Sequence, residues 1–499
     1  MRKRTQPHQP VKAGARSITL GVAALAALSL GTGAARAAVV PELSTALPNG
    51  VTLIARRDVL APRIALSLLV RAGAGDETAD SAGWRRLLTD AMLRASLENK
   101  SAAATEPKPT ADAPPTETPP VASAAAPKAR SMEELQREAE KWGGRLGASV
   151  GDDYVEFWAV GDSAGSDQLL ELLLGLAMRP RLGDEEIDAA RRRMLSRLEV
   201  ANENIALKAT NALATQLYRD GRGEPVAYGL PTNGTFKSLT NLTSDKVRKL
   251  YQHYFAPSRL IVAAAGDVHF DRLRGVLGKP DQSANWSQAG KPIIHAKAPS
   301  FVAPDKTQPP LTVRQMNTPT AWVFVAYSTA GTNAGDYVAL RVLAAAMGEA
   351  SKSRLPTRLM GSRDNRLVGR SGTESATTQV AVQLTPRRFA GELIFFAQTS
   401  PQSVDSVKNA MLDEVRKLKE QPLSRVELES ARNFVRGNWA VERESLRERA
   451  LQTGLSSVSN APADTTWPAR VAAVTAADIQ RVAKKYLDNY AVALIMPQE

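Results

Sequence analysis

The feature that most constrains this 499-residue chain is a helix–strand pattern that occurs twice. In the first half, LTSDKVRKLYQHYFAPSRLIVAAAGDV reads as an amphipathic helix followed by a buried strand. In the second, VTAADIQRVAKKYLDNYAVALIMPQE has the same plan. Thr243, Val247, Leu250 and Tyr254 match Thr475, Ile479, Val482 and Tyr486 at identical spacing. Each series sets apolar residues at helical intervals behind a Thr whose hydroxyl can accept from a free N–H of the first turn. A second pair precedes these: LGDEEIDAARRRMLSRLE (182–199) parallels LSRVELESARNFVRGNWA (423–440), with Ala-Arg at 190–191 and again at 431–432. Two matched pairs in the same order imply a duplicated domain of about 200 residues per copy.

Strand patterns fill the rest of each copy. VTLIARR, IALSLLVRAGA, YVEFWAV and LIVAAAGDV lie in the first half, and AWVFVAYSTA, TQVAVQL and ELIFFAQTS in the second. Long helical stretches such as SDQLLELLLGLAMR and PQSVDSVKNAMLDEVRKLKE separate them. Several strands are close enough to form hairpins, so the expected fold is α+β: two homologous domains, each a mixed or antiparallel sheet with helices packed on one face. Residues 101–130 contain almost only Ala, Pro, Thr, Ser and charge, and cannot bury a core. The predicted organisation is a first domain over 38–278 carrying that insertion, a Pro/Ser/Gln-rich linker over 279–308, and a second domain over 309–499.

The N-terminus has its own logic. Basic MRKRTQPHQPVKAGARS precedes apolar ITLGVAALAALSLGTGA, and Ala35-Arg36-Ala37 forms a small-x-small cleavage pattern. This three-part layout predicts a secretory signal peptide over 1–37, cleaved near Ala37, and an exported, periplasmic mature chain. The apolar run is short and broken by Gly, which argues against a stable membrane span. Six of the +13 formal charges lie in this segment; without it the net charge is +7. No dense basic run with interleaved aromatics follows, which argues against nucleic-acid binding. With no cysteine in the chain, thiol catalysis, disulfides and thiolate metal sites are excluded.

With these motifs in order, the chain resembles the insulinase/pitrilysin (inverzincin) family of zinc metallopeptidases. The opening LPNGVTLIARRDVLAPRIALSLLVRAGAGDETADSAGWRRLLTDAML resembles that family's NG turn, V-x-A-G strand and G-x-x-H-x-x-E-H helix. WGGRLGASVGDDYVEFWAV resembles its G-G-x-x-N-A-x-T segment, and GEASKSRLPTRL its S-R-L stretch in the second domain. The resemblance implies two homologous domains forming a half-clam, with zinc on the first. In active members the two His, at i and i+4 of a helix, and a distal Glu hold the ion, and the intervening Glu is the general base.

Position by position, the implied first His is Arg86, the base is Thr89, the second His is Asp90, and the distal Glu falls near Arg197. A guanidinium stays protonated and cannot bind zinc, and Thr cannot replace a carboxylate base. The remaining His (His253, His269, His295) share no metal-ligand spacing, so no zinc or other cofactor is expected. Arg86 and Asp90 admit two readings: a solvated i,i+4 ion pair, or positive charge placed by Arg86 with Arg197 where zinc would sit. The resemblance implies a peptide-binding edge at Gly147, Ala148 and Ser149, with Gly147 at the family's Asn. It also implies a substrate-holding Arg at Arg354; the second Arg falls at Met360, with Arg363 as its displaced alternative, and the accompanying Tyr at Gly369.

The leading expectation is a non-catalytic subunit, a pseudopeptidase that pairs with a zinc-bearing homologue or with itself and helps to enclose extended peptides. A scaffold protein of the same fold unconnected with proteolysis stays open. So does an active peptidase with an atypical oxygen-ligand site built from Asp90, Asp152, Glu199 and Glu203.

Overall fold

The computed structural model describes residues 42–58, 61–94, 132–180, 182–201, 203–279, 298–350, 353–360 and 377–498. The signal peptide expected over 1–37, the 101–130 insertion, most of the 279–308 linker expected from the sequence, and Arg363 lie outside the described residues. Among those described, no helix is long and apolar enough to cross a membrane.

The first half supplies strands β1 (Glu42–Ala46), β2 (Thr52–Arg57), β3 (Arg63–Val70), β4 (Arg145–Val150), β5 (Val155–Asp162) and β6 (Leu260–Gly266). They form one sheet in the order β1-β2-β6-β3-β5-β4, antiparallel throughout except for the β2–β6 pair. Its helices are α1 (Trp84–Arg94), α2 (Met132–Glu140), α3 (Ser166–Met178), α4 (Asp184–Ala201), α5 (Ile205–Leu217), α6 (Phe236–Asn241), α7 (Ser244–Tyr254) and α8 (Phe270–Leu277).

The second half supplies β7 (Leu311–Met316), β8 (Ala321–Ala330), β9 (Gln379–Thr385), β10 (Ala390–Thr399) and β11 (Tyr490–Pro497), ordered β7-β11-β8-β10-β9, with β7–β11 the parallel pair. Its helices are α9 (Tyr337–Ala344), α10 (Arg354–Met360), α11 (Val404–Glu420), α12 (Arg425–Glu442), α13 (Leu446–Ser459), α14 (Trp467–Ala473) and α15 (Ala476–Tyr486). Two sheets of like topology bear out the α+β expectation.

The duplication has a physical basis. Thr243 caps α7 by accepting from Lys246 N–H, and Thr475 caps α15 by accepting from Asp478 N–H. The matched Ala-Arg pairs do equivalent work. Ala190 and Ala431 are fully buried, and the next residue clamps the loop that enters the capped helix. Arg191 donates to the Leu242 carbonyl and Arg432 to the Val474 carbonyl, each one residue before the capping Thr.

Helices α1, α3, α7 and α8 bury one face of the first sheet through Ile64, Leu66, Leu68 and Val70 of β3; α9, α11 and α15 do the same for the second. The opposite faces are covered by exchange between the halves. Helix α13, from the second half, lies on β3 and β6 of the first sheet and buries Ile54, Leu69 and Ile261 with Leu451 and Val458. Helix α5, from the first half, lies on β8 and β11 and buries Phe324, Ala326, Ala491 and Ala493 with Ala209 and Leu213. Gly454 makes the α13 crossing possible: a Cβ there would come 2.3 Å from Leu69 Cδ1. Each central strand is therefore buried on both faces.

Candidate functional site

Helix α1 presents three faces. Trp84, Leu87, Leu88 and Ala91 are fully buried in the core, with Trp84 stacked on Tyr254 at 4.9 Å. Arg85 is equally buried because its Nε pairs with Glu77 Oε1 at 2.9 Å, and it also donates to the Gly151 carbonyl. The third face, Arg86 and Asp90, turns toward α4.

The implied metal positions come together there, and they are occupied by an ion network. Asp90 is buried and accepts from Arg193 Nε at 2.9 Å and from Arg197 Nη2 at 3.4 Å. Arg193 and Arg197 are one turn apart on α4, so both reach across to the same carboxylate. Asp90 does not pair with Arg86, so the i,i+4 ion pair is not formed. Arg86 has no ion pair among the described residues, and its Nε is buried without an acceptor. Burial, then the charges of Arg85 and Arg197, push its pKa down from the usual guanidinium value. Thr89, at the implied base position, is buried and donates to the Arg85 carbonyl at 2.8 Å, so its hydroxyl is turned onto its own helix.

The other imagined oxygen ligands are elsewhere. Asp152 pairs with Arg387 at 2.7 Å, while Glu199 and Glu203 are exposed. Among the described residues no group of three His, Asp or Glu is arranged to hold a metal.

Gly147, Ala148 and Ser149 lie on β4, which among the described residues ends the first sheet and pairs with β5 alone. Gly147 stands opposite Trp158, and a Cβ there would lie 2.7 Å from the indole. Arg447 of α13 stacks on the same indole at 4.5 Å. Glu156, fully buried, accepts from Ser67 (2.9 Å), Ser149 (2.7 Å) and Arg447 (2.9 Å). The free edge of β4 is partly masked, since Leu146 N–H donates to Gln136 Oε1 of α2 at 3.2 Å. By the two-residue period of a strand, the backbone groups of Ala148 face the same open side.

Arg354, the predicted substrate-holding residue, is tied to Glu427 at 2.7 Å on the wall of an open cleft of about 330 Å³ that Thr357, Arg358, Glu414 and Lys417 also line. Burial would raise the Glu427 carboxyl, but hydrogen bonds from Arg354 and Ser424 hold it at about 2.

Sequence reasoning missed the charged seam between the halves. Arg387, before β10, pairs with Asp152 and with fully buried Glu392 (3.3 Å), and lies over the rings of Tyr218 and Tyr228. Tyr228 donates to Asp153 at 2.6 Å, and Tyr218 to the Gly391 carbonyl at 2.7 Å. The one signal available was the density of Asp and Arg in the hairpin sequences GDDY and TPRRF.

Comparison with known proteins gives a consistent result. Residues 241–435 match the family model described as Peptidase M16 inactive domain. An uncharacterized zinc protease of Streptomyces coelicolor is 22% identical over 34% of this chain and 38% of its own length, so the match spans well under half of that relative. A probable mitochondrial-processing peptidase subunit beta of Arabidopsis thaliana is 22% identical over 73% of this chain and 67% of its own. In three dimensions, a protease from Helicobacter pylori superposes with a TM-score of 0.73 at 17% identity, covering 92% of this chain and 99% of that one. Through these matches the chain is similar to the M16 (insulinase/pitrilysin) peptidases, shares their fold, and over residues 241–435 resembles their inactive domain.

Proposed function

We infer that this protein is an exported pseudopeptidase: a non-catalytic M16 subunit that pairs with a zinc-bearing homologue and helps to enclose an extended peptide. The observation that carries this is the state of Asp90, the one carboxylate at the implied metal positions, which is held by Arg193 and Arg197. Two guanidiniums on that carboxylate, a third on Arg86 and a Thr hydroxyl bonded to its own helix leave neither a ligand set nor a general base.

A peptide would add to the open edge of β4 by main-chain hydrogen bonds, displacing the Gln136 side chain from Leu146. Co-purification from the native host, followed by a peptide-cleavage assay of each component, tests the pairing. The expected result is a complex with a zinc-bearing homologue, cleavage by that homologue, and none by this chain alone. A chain that purifies alone at native abundance contradicts the pairing.

One observation favours the scaffold reading instead. Arg354 is engaged by Glu427, a residue of the α12 capping box, and so serves the fold. If crosslinking captures only partners that are not peptidases, the scaffold reading replaces the pseudopeptidase one.

A further inference from the structure

Strand β5 alternates. Val155, Phe157 and Ala159 enter the core, while Glu156, Trp158 and Val160 turn to the opposite face, where α13 crosses β3 and β6. On that face the charge of buried Glu156 is met by Arg447 at 2.9 Å, and Trp158 stays half-buried.

The indole does not remain above its own strand. A Cβ on Gly147 would lie 2.7 Å from Trp158 Cζ2, 2.9 Å from Cε2 and 3.2 Å from Nε1. The ring therefore leans from β5 across β4, over the Gly147 Cα, toward the open edge of the sheet. Glycine is what leaves the ring that room, since any larger side chain at 147 would push it back. The Arg447 guanidinium sits over the indole at 4.5 Å from its centroid, and its bond to Glu156 holds it there.

A strand added to β4 brings one residue opposite Gly147, and by the pleat the side chain of that residue stands on the Trp158 face. The Leu146 N–H points to the open edge, so the backbone groups of Gly147 point to β5. In an antiparallel addition the pair at Gly147 is therefore of the non-hydrogen-bonded kind, with Cα atoms about 4.5 Å apart and side chains at their closest. The incoming side chain meets the C–H rim of the indole on the Cζ2 side. That rim is the electropositive edge of the π system, and it favours the face of a second aromatic ring. A carboxylate gains little in that place, because Arg447 is already engaged by Glu156. We propose that Trp158, bared at the β4 edge by Gly147 and backed by Arg447, selects extended peptides that place an aromatic side chain opposite Gly147. This selection rests on the reading of β4 as a peptide-binding edge.

Fluorescence anisotropy with the full chain tests it. The probes are three labelled nonapeptides of alternating Thr and Ser that differ in the central residue: Phe, cyclohexylalanine or Ala. The Phe peptide is expected to bind about 2–10-fold more tightly than the cyclohexylalanine peptide, which matches it in size but has no π face. Trp158→Leu should bring the Phe peptide to the level of the cyclohexylalanine one and leave the Ala peptide unchanged. Equal affinity for Phe and cyclohexylalanine in the wild type overturns the proposal, whether or not Trp158→Leu folds. A Phe preference that persists in Trp158→Leu overturns it as well. Equal binding of all three peptides sinks the aromatic selection alone and keeps the edge. Binding of none contradicts the peptide-binding edge and the selection together.

Discussion

At the scale of the residue, Asp90 and the arginines that claim it hold the α1–α4 contact together. Removing the carboxylate would leave Arg86, Arg193 and Arg197 facing one another across the α1–α4 contact. Asp90→Ala is therefore expected to destabilise the protein by about 1–3 kcal/mol, measured as a lower urea midpoint. Glu427 gives a pH prediction. Its carboxyl is held at about 2 against an ordinary value of 4.5, through Arg354 and Ser424. A depressed folded-state pKa means that its contribution is fully present above 4.5 and is lost as pH falls toward about 2. Arg354→Gln should flatten the fall in stability across that window, as read from urea midpoints at a series of pH values. An unchanged slope would show that the pair does not act on folding. Partial exposure of both groups keeps the effect small at neutral pH.

At the scale of the element, β4 is where packing and function meet. Proline at Ala148 would remove an N–H on the open edge while leaving the β4–β5 ladder in place. Ala148→Pro is expected to weaken peptide capture with little change in unfolding midpoint, measured by peptide-binding titration beside a denaturation curve. Gly147→Asn, which would install the residue type implied by the family resemblance, should instead destabilise by about 1–3 kcal/mol, because its side chain would drive into Trp158.

Much of the element-scale structure was legible in the sequence, for identifiable reasons. The Thr caps, the apolar spacing behind them and the repeated Ala-Arg pairs are local signals, and each corresponds to a contact seen in both halves. What could not be read was the exchange of α5 and α13 across the duplication. Their apolar faces do not say which sheet they will cover. The one hint lay in strands such as LIVAAAG, where every residue is apolar; such a strand is buried on both faces and needs a cover on each. The partners of Asp90 were also out of reach, because a cross-helix ion network depends on how two distant segments dock.

At the scale of the whole molecule, the halves are interlocked. Each lends a helix to the other's sheet, and Arg387 with Asp152 and Glu392 closes the seam. Two consequences follow. Arg387→Ala should cost about 3–5 kcal/mol, since it leaves two carboxylates in the seam without their cation, whereas Arg387→Lys should recover part of that loss. Residues 38–278 expressed alone should not fold cooperatively, because the outer face of the first sheet would lack α13. Mixing with residues 298–499 should restore a single cooperative transition by circular dichroism. Independent folding of the first half would contradict the interlock.

The proposed pseudopeptidase role rests on the inference that the implied metal positions do not bind zinc. Equilibrium dialysis of the purified full chain against zinc, with metal content measured on wild type and Asp90→Ala, tests it most directly. No stoichiometric zinc is expected in either protein. One zinc per chain in the wild type, lost in Asp90→Ala, would contradict it.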